Sequence, residues 1–525
     1  MSADSTHGHP RSARDPLFVL ISTVAFLLYA LGVITLNQAR SPGWGLEAAG
    51  PLPSAISFLV YGTPLGALDE NVLVVINRPD RVQSGMAVAA SGLVPRGRFV
   101  PNTPDGIGTG SVLFATLAME MFGKNIAALV RLFLLFEGIS VFAFAARFRD
   151  TRLFFIPLYF FVFTIMLITP LCIGPDAVIG MPIGGQRFFV AATFLPAMHI
   201  IFELAERSSN KTDRKGAIAG NLLLFVQSVL LFATLLVRSA TSYILGGIIV
   251  AAAYRFYRDR REHRNSTDLM YKIPIILSGL AVWAVVVTAA LPNFVETGRA
   301  LGNFWHRAFV GFSLHPDWPF GNLREVYKCP VTGGLSRGSP DSNAFCVWEA
   351  DPRNAGLPAG DLRYSYFSGD YEKAVRAAYF YVLTHYPKQA FELYVFVKSE
   401  GVSYVLRQSL SFLSELFDAH APKGLFAIVA LQAALFAYAA FQFGRNDPAV
   451  VTMLFFILLG LFVLSIPPRY VAWSSFETGI DMIFLMYGCL VLALLWLVRS
   501  MASLLRAPIR RLGARHRWRQ PTTTD

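Results

Sequence analysis

The sequence predicts an all-α polytopic membrane protein of about ten transmembrane helices, with both termini inside and two long periplasmic segments. Three observations carry this reading: apolar runs of spanning length, basic residues gathered in the loops of one side, and the composition. A span needs about 20 apolar residues to cross ~30 Å of hydrocarbon. Hydrophobic residues make up 54% of the chain and charged residues 15%, with 44 Phe. The mean hydropathy of +0.48 lies outside the range of an ordinary soluble domain.

Spans are expected at 17–36, 125–146, 152–172, 187–205, 217–237, 239–257, 273–291, 424–443, 449–466 and 477–499. The inner loops then carry Arg147, Arg149 and Arg152; Lys211, Arg214 and Lys215; Arg255, Arg258, Arg260, Arg261 and Arg264; and Arg445. Arg11 and Arg14 precede the first span, and Arg506, Arg510, Arg511, Arg515, Arg517 and Arg519 follow the last. Positive residues in short loops stay cytoplasmic, which sets both ends inside. The net charge of +12 sits beside spans. Attraction to anionic inner-leaflet lipids explains it better than a nucleic-acid partner. The first span lacks a small-residue cleavage site and reads as a retained anchor in a multi-pass bacterial inner-membrane protein.

This divides the chain into a cytoplasmic tail (1–16), a transmembrane module (17–291) and a periplasmic segment (292–422). A three-helix transmembrane part (423–500) and a basic cytoplasmic tail (501–525) follow. Within the first module, 37–124 forms an outer loop rich in Gly and Pro, too long for a simple connector. Inside it, Ser111 to Phe122 is apolar but short, and suits a helix lying at the interface. If it crossed, every later loop would flip and the basic loops would face outside. The second outer segment offers helices near Tyr371 to Thr384 and from Lys388 to Leu416, both aromatic-rich and expected against the membrane. Cys329 and Cys346 lie 17 residues apart in this segment, a disulfide candidate for an oxidising periplasm. The sequons at Asn210 and Asn265 fall on the inner side and say nothing about glycosylation.

The first outer loop holds an ordered series. Asp80-Arg81 comes first, then Met86 through Gly92, then Pro101-Asn102-Thr103-Pro104-Asp105-Gly106. The apolar helix closes in Met121-Phe122-Gly123, and Arg131-Leu132 stands near the start of the next span. Over roughly 17–150 this resembles the C-type membrane glycosyltransferases, the GT-C superfamily, which use polyprenyl-phosphate sugars. The resemblance implies a catalytic acid in this loop, facing the outer leaflet. Asp80 matches the first acid, and Asp105 stands where some members carry a second acidic or basic group. The family usually places its acid nearer the first span and often doubles it, which makes Asp69-Glu70 a competitor. Arg469-Tyr470 resembles the Arg-Tyr step before the last spans of many such transferases.

The chemistry has its own requirements. Sugar transfer to a hydroxyl needs a carboxylate in hydrogen-bond reach of the acceptor proton. It also needs cations or donors around the departing phosphate, where charge develops. Arg187, Arg238 and Arg469 are expected at the outer surface, against the general bias of basic residues toward the inside. An Arg at a span end also simply snorkels to headgroups. In the second segment, Arg299, Trp305 and His306 are candidates for phosphate or substrate binding, and Trp305, Trp318 and Trp348 could stack sugars. A Trp-His pair also suits an interfacial belt with a structural His. Gly298-Arg299, Trp305, Pro319 and Gly321 also resemble the outer-loop pattern of O-antigen ligases and polymerases, an alternative reading.

A different class, a transporter or assembly component for envelope polysaccharide, would use Glu137, Asn221 and Gln227 to line a path between spans. Glu137, an intramembrane carboxylate, could instead pair with Arg131. No Walker loop, dinucleotide fingerprint, His-Glu-x-x-His or Cys-x-x-Cys is present. No protein-bound metal is expected, although a divalent cation could accompany the lipid-linked sugar donor. The acceptor would be a glycan or a lipid.

Overall fold

The computed structural model describes residues 109–123, 127–148, 189–205, 214–237, 242–262, 267–290, 304–329, 334–336, 340–354, 369–400 and 448–471. It also describes the pairs 68–69 and 99–100 and a few single positions. The chain is mostly helical. Two short strands, β1 (Leu68–Asp69) and β2 (Phe99–Val100), pair antiparallel with Leu68 opposite Val100 and Asp69 opposite Phe99.

Six helices form a bundle with one more beside it. They are α1 (Thr109–Phe122), α2 (Ala127–Phe148), α3 (Phe189–Ala205), α4 (Arg214–Val237), α5 (Tyr243–Arg261) and α6 (Thr267–Ala290). Among the described residues, two stretches, Gly216–Val237 and Asp268–Ala289, are long and apolar enough to cross a membrane. Only 22% of the second is buried in the protein. It leaves Ile273, Leu277, Leu280, Val282, Val285 and Val286 uncovered.

Small residues let helix backbones approach closely, and glycines mark two of the crossings. A Cβ on Gly279 of α6 would lie 2.7 Å from the Ser228 Cβ and 2.9 Å from the Val229 nitrogen of α4. A Cβ on Gly110 would collide with the main chain of Leu236 and Val237. Two of the polar contacts between helices are side-chain pairings close to the crossings. Ser140 Oγ donates to Gln227 Oε1 at 3.0 Å, and Gln227 Nε2 returns a bond to the Ser140 carbonyl at 2.7 Å. Trp283 donates to the Val229 carbonyl at 2.8 Å.

The direction of each helix follows from these contacts. Gly220 adjoins Arg147 and Gln227 adjoins Ser140, so α2 and α4 run antiparallel. The same register brings the start of α2 level with the end of α4. At the opposite end, charged side chains tie helix termini together. Glu203 at the end of α3 is paired with Arg147 of α2 and with Lys272 of α6, the latter at 3.1 Å. Lys272 also pairs with Asp268 at 3.2 Å and bonds the Glu203 carbonyl at 2.8 Å. Arg255 of α5 pairs with Asp259 at 2.8 Å and with Asp268 at 3.7 Å. Arg258 donates to the Ala205 carbonyl at 3.2 Å. These are the ends that the basic-loop pattern assigned to one side.

A helical module follows. It contains α7 (Phe304–Val310), α8 (Pro340–Glu349), α9 (Gly369–His385) and α10 (Pro387–Glu392), which continues as a π-helical stretch, Leu393–Val397. Its core is aromatic: Phe309, Phe312, Trp318, Phe320, Trp348 and Tyr371 are buried together with Val375, Val382 and Leu393. Phe312 and Trp318 stack at 5.9 Å with 9° between planes. Cys329 and Cys346 form a disulfide with Cα atoms 5.1 Å apart.

The helix expected near Tyr371 to Thr384 is present, as Gly369–His385. This is α9, and its apolar face, with Tyr371, Val375, Ala378, Tyr379 and Val382, is buried in the module. Helical periodicity locates an apolar face without saying whether lipid or protein covers it.

A further helix, α11 (Pro448–Val471), packs antiparallel on α5, with Leu461 against Gly247 and Leu464 against Gly246. Its final turn therefore lies at the end of the bundle where α5 begins, opposite the charged end.

Candidate functional site

Three structures meet at that one end of the bundle. The first is α1. Its start lies on Leu236 and Val237, where Ser111 Oγ bonds the Val237 carbonyl at 3.3 Å. Its end is held by Arg131, which donates to the Phe122 carbonyl at 3.3 Å. Arg131 and Val237 are level in the antiparallel register, so both ends of α1 meet the same end of the bundle. With 14 residues, α1 is roughly 21 Å long at about 1.5 Å per residue, and its Phe114 packs edge-on against Phe136 of α2 at 5.8 Å. Gly123, with φ 92°, takes the left-handed conformation that turns the chain out of α1. Glu120 is exposed on its last turn.

The second structure is the end of α11. Arg469 and Tyr470 occupy its last turn. The Arg469 side chain lies outside the described residues, but Tyr470 is in place, its hydroxyl donating to the Tyr394 carbonyl. Lys398 is 2% exposed and donates to the carbonyls of Tyr470 at 2.9 Å and Val471 at 2.8 Å. Its ammonium also sits 4.5 Å from the Tyr394 ring centroid. A helix leaves its last carbonyls unsatisfied, and the cation answers them at the negative end of the dipole. Burial nonetheless pulls the Lys398 pKa down to about 7.

The third is the module itself. Glu372 of α9 accepts from the main-chain nitrogens of Trp305 at 3.0 Å and His306 at 3.4 Å, capping the first turn of α7. Burial pushes its carboxyl up to about 7 against the opposing effect of those two bonds. His306 Nε2 faces Asp341 Oδ1 at 3.3 Å, and Nδ1 faces the Tyr371 hydroxyl at 2.5 Å. A carboxylate only accepts, so Nε2–H donates to Asp341 and Nδ1 accepts from Tyr371. Burial holds the His306 pKa below the ordinary value.

His306, a candidate for substrate binding or a structural His, is 4% exposed and joins α7, α8 and α9 through Asp341 and Tyr371. Trp318 and Trp348, 5% and 4% exposed, belong to the core and offer no face for a sugar. Trp305 keeps part of its surface, set 5.5 Å from both Tyr379 and Phe380.

The remaining candidates fall otherwise. The backbone of Asp69 is held on β1, opposite Phe99. Glu70, Asp80, Asp105, Arg187, Arg238 and Arg299 lie outside the described residues. In sequence, Glu70 and Asp80 fall between the two strands, and Asp105 falls between β2 and α1. Among the described residues, no group of three or more His, Cys, Asp or Glu could hold a metal. The transporter residues do not converge: Asn221 is exposed and Gln227 is committed to Ser140. Glu137 is buried and its carboxylate has no hydrogen-bond partner among the described residues, Arg131 being turned to Phe122.

Sequence reading missed Lys398, which stands in a mixed run with no motif around it; Glu372 was visible there only within the run Asp370-Tyr371-Glu372-Lys373, with no role attached. Scans against protein-family models, curated proteins and solved structures give no match.

Proposed function

We propose that the protein is a multi-pass inner-membrane glycosyltransferase that moves a sugar from a polyprenyl-phosphate donor to an acceptor on the periplasmic side. In this reading the ten spans hold both termini inside, and residues 37–124 and 292–422 lie outside. The observation that carries it is the gathering of α1, the last turn of α11 and the helical module at one end of the bundle, with the ion-paired helix termini at the other. The uncovered apolar side chains of α6 support spanning.

The reaction balances simply. A carboxylate from the first outer loop takes the proton of an acceptor hydroxyl, and the acceptor oxygen bonds to the anomeric carbon. The bond from that carbon to the phosphate oxygen breaks, and the polyprenyl phosphate leaves with the electron pair. Arg187, Arg469 and Tyr470 would hold that phosphate at the lipid boundary. Asp80, Asp69, Glu70 and Asp105 are the candidate bases.

Transfer is measured in membranes carrying Asp80→Asn, Asp69→Asn, Glu70→Gln or Asp105→Asn. Loss in one names the base, and unchanged activity in all four overturns the assignment. The burial of His306 weighs against the ligase alternative, which would give it a direct role. The pairing of Gln227 with Ser140 weighs against a transport path through that position.

A further inference from the structure

The surface of α10 and its π-helical continuation carries three uncovered apolar side chains: Phe391 at 60%, Val395 at 42% and Phe396 at 57% exposure. They form a ridge. Phe391 and Phe396 sit five residues apart with ring centroids 6.2 Å from each other, an alignment that the wider π turn, which bonds residue i to i+5, provides. The opposite face is committed to the protein through Ala390, Leu393 and Lys398.

The height of this ridge is fixed by Lys398. Its ammonium bonds the last two carbonyls of α11, and Phe396 precedes it by two residues, about 3 Å along a helix axis. The ridge therefore stands at the level where α11 ends. Apolar surface continues down α11 itself, where Val463 is 54% and Phe456 62% exposed. On the polar margin, Lys388 is exposed beside Glu392 at 4.0 Å. An apolar ridge with a charged margin, level with the end of an apolar helix, has the pattern of a helix lying in the interface.

We infer that Phe391, Val395 and Phe396 insert into the boundary between headgroups and acyl chains of the outer leaflet, so that the module rides on the lipid surface. The inference rests on α11 spanning the bilayer and is independent of sugar transfer. It gives the module two holds: one on the end of α11 through Lys398, one on the membrane through the aromatic ridge. Insertion reaches about 5–10 Å into the boundary, the depth at which a lipid-linked phosphate would also sit.

The test uses the full chain in nanodiscs of phosphatidylethanolamine and phosphatidylglycerol, with Cys172→Ser and Cys489→Ser leaving the disulfide intact. Bimane is attached at Phe391→Cys, Phe396→Cys, Val463→Cys or Arg376→Cys, the last on an exposed position of α9. Labels on the ridge lose fluorescence to a nitroxide placed high on the lipid chains and resist iodide. The label at Arg376→Cys shows the reverse, and the one at Val463→Cys responds to a deep nitroxide. Iodide quenching at Phe396→Cys equal to that at Arg376→Cys overturns the inference, as does shielding from both quenchers, which means protein covers the ridge. No lipid quenching at Val463→Cys removes the spanning of α11 and the inference with it, a result separate from any loss of transfer activity.

Discussion

Lys398 reaches the main-chain oxygen of Tyr470 at 2.9 Å, from a position 2% exposed to solvent. This bond joins the helical module to the last turn of α11, next to the Arg-Tyr step that sequence alone had singled out.

Replacing the cation should loosen that joint. Lys398→Met leaves the Tyr470 and Val471 carbonyls without this donor, and a buried polar group left unsatisfied costs about 1–3 kcal/mol. Lys398→Arg retains donors and should recover part of the loss. Thermal unfolding of the solubilised protein, with hydrogen exchange over the end of α11, reads the difference. Equal protection in Lys398→Met and wild type would show the bond to be dispensable.

The cap on α7 should depend on pH. Glu372 titrates at about 7 in the folded protein against 4.5 ordinarily, so between these values the folded state keeps a proton that the unfolded state has released. Its contribution is complete below about pH 4.5 and is lost as pH rises through about 7. Protection of the first-turn amides of α7, corrected for intrinsic exchange, should fall over that window. In Glu372→Gln this slope should disappear; a slope that persists assigns it to another group.

Gly110 lies against the backbone of Leu236 and Val237 without room for a Cβ. Gly110→Ala should push α1 off the bundle at an overpacking cost of about 1–3 kcal/mol. If α1 frames the donor site, transfer falls at normal protein levels, whereas Gly216→Ala, where a Cβ meets nothing within 4 Å, leaves transfer unchanged. Unaltered transfer in Gly110→Ala would separate α1 from the chemistry.

Glu203 serves two cations, Arg147 and Lys272, from a side chain 3% exposed. Glu203→Gln removes the charge that both face. Breaking a buried pair by removing one partner costs about 3–5 kcal/mol, and Asp268, still 3.2 Å from Lys272, should keep the loss toward the lower end. A melting temperature shift of a few degrees or more checks this.

The long helices were legible because lipid leaves the backbone no partner but itself, so spans appear as unbroken apolar runs. The expected span at 217–237 lies within Arg214–Val237, and that at 273–291 overlaps Thr267–Ala290. The short apolar run at Ser111 to Phe122 was legible as a helix, and it is one, Thr109–Phe122. Far less of the module could be read. Tyr371 and Phe312 look the same in sequence whether lipid or another helix covers them, and only the fold puts both in one core. The ionic contacts among Arg147, Glu203 and Lys272 join residues distant in sequence, so the arginine read as a topology signal alone. The loop acids kept their interest through pattern, and the described residues add only the strand on which Asp69 sits.

The ion pairs at one end of the bundle constrain where the protein can move. Among the described residues, four helices, α2, α3, α5 and α6, are cross-strapped there within a few ångströms, so tilting any one of them away from the others at that end means breaking an ionic contact or a bond to a helix-terminal carbonyl.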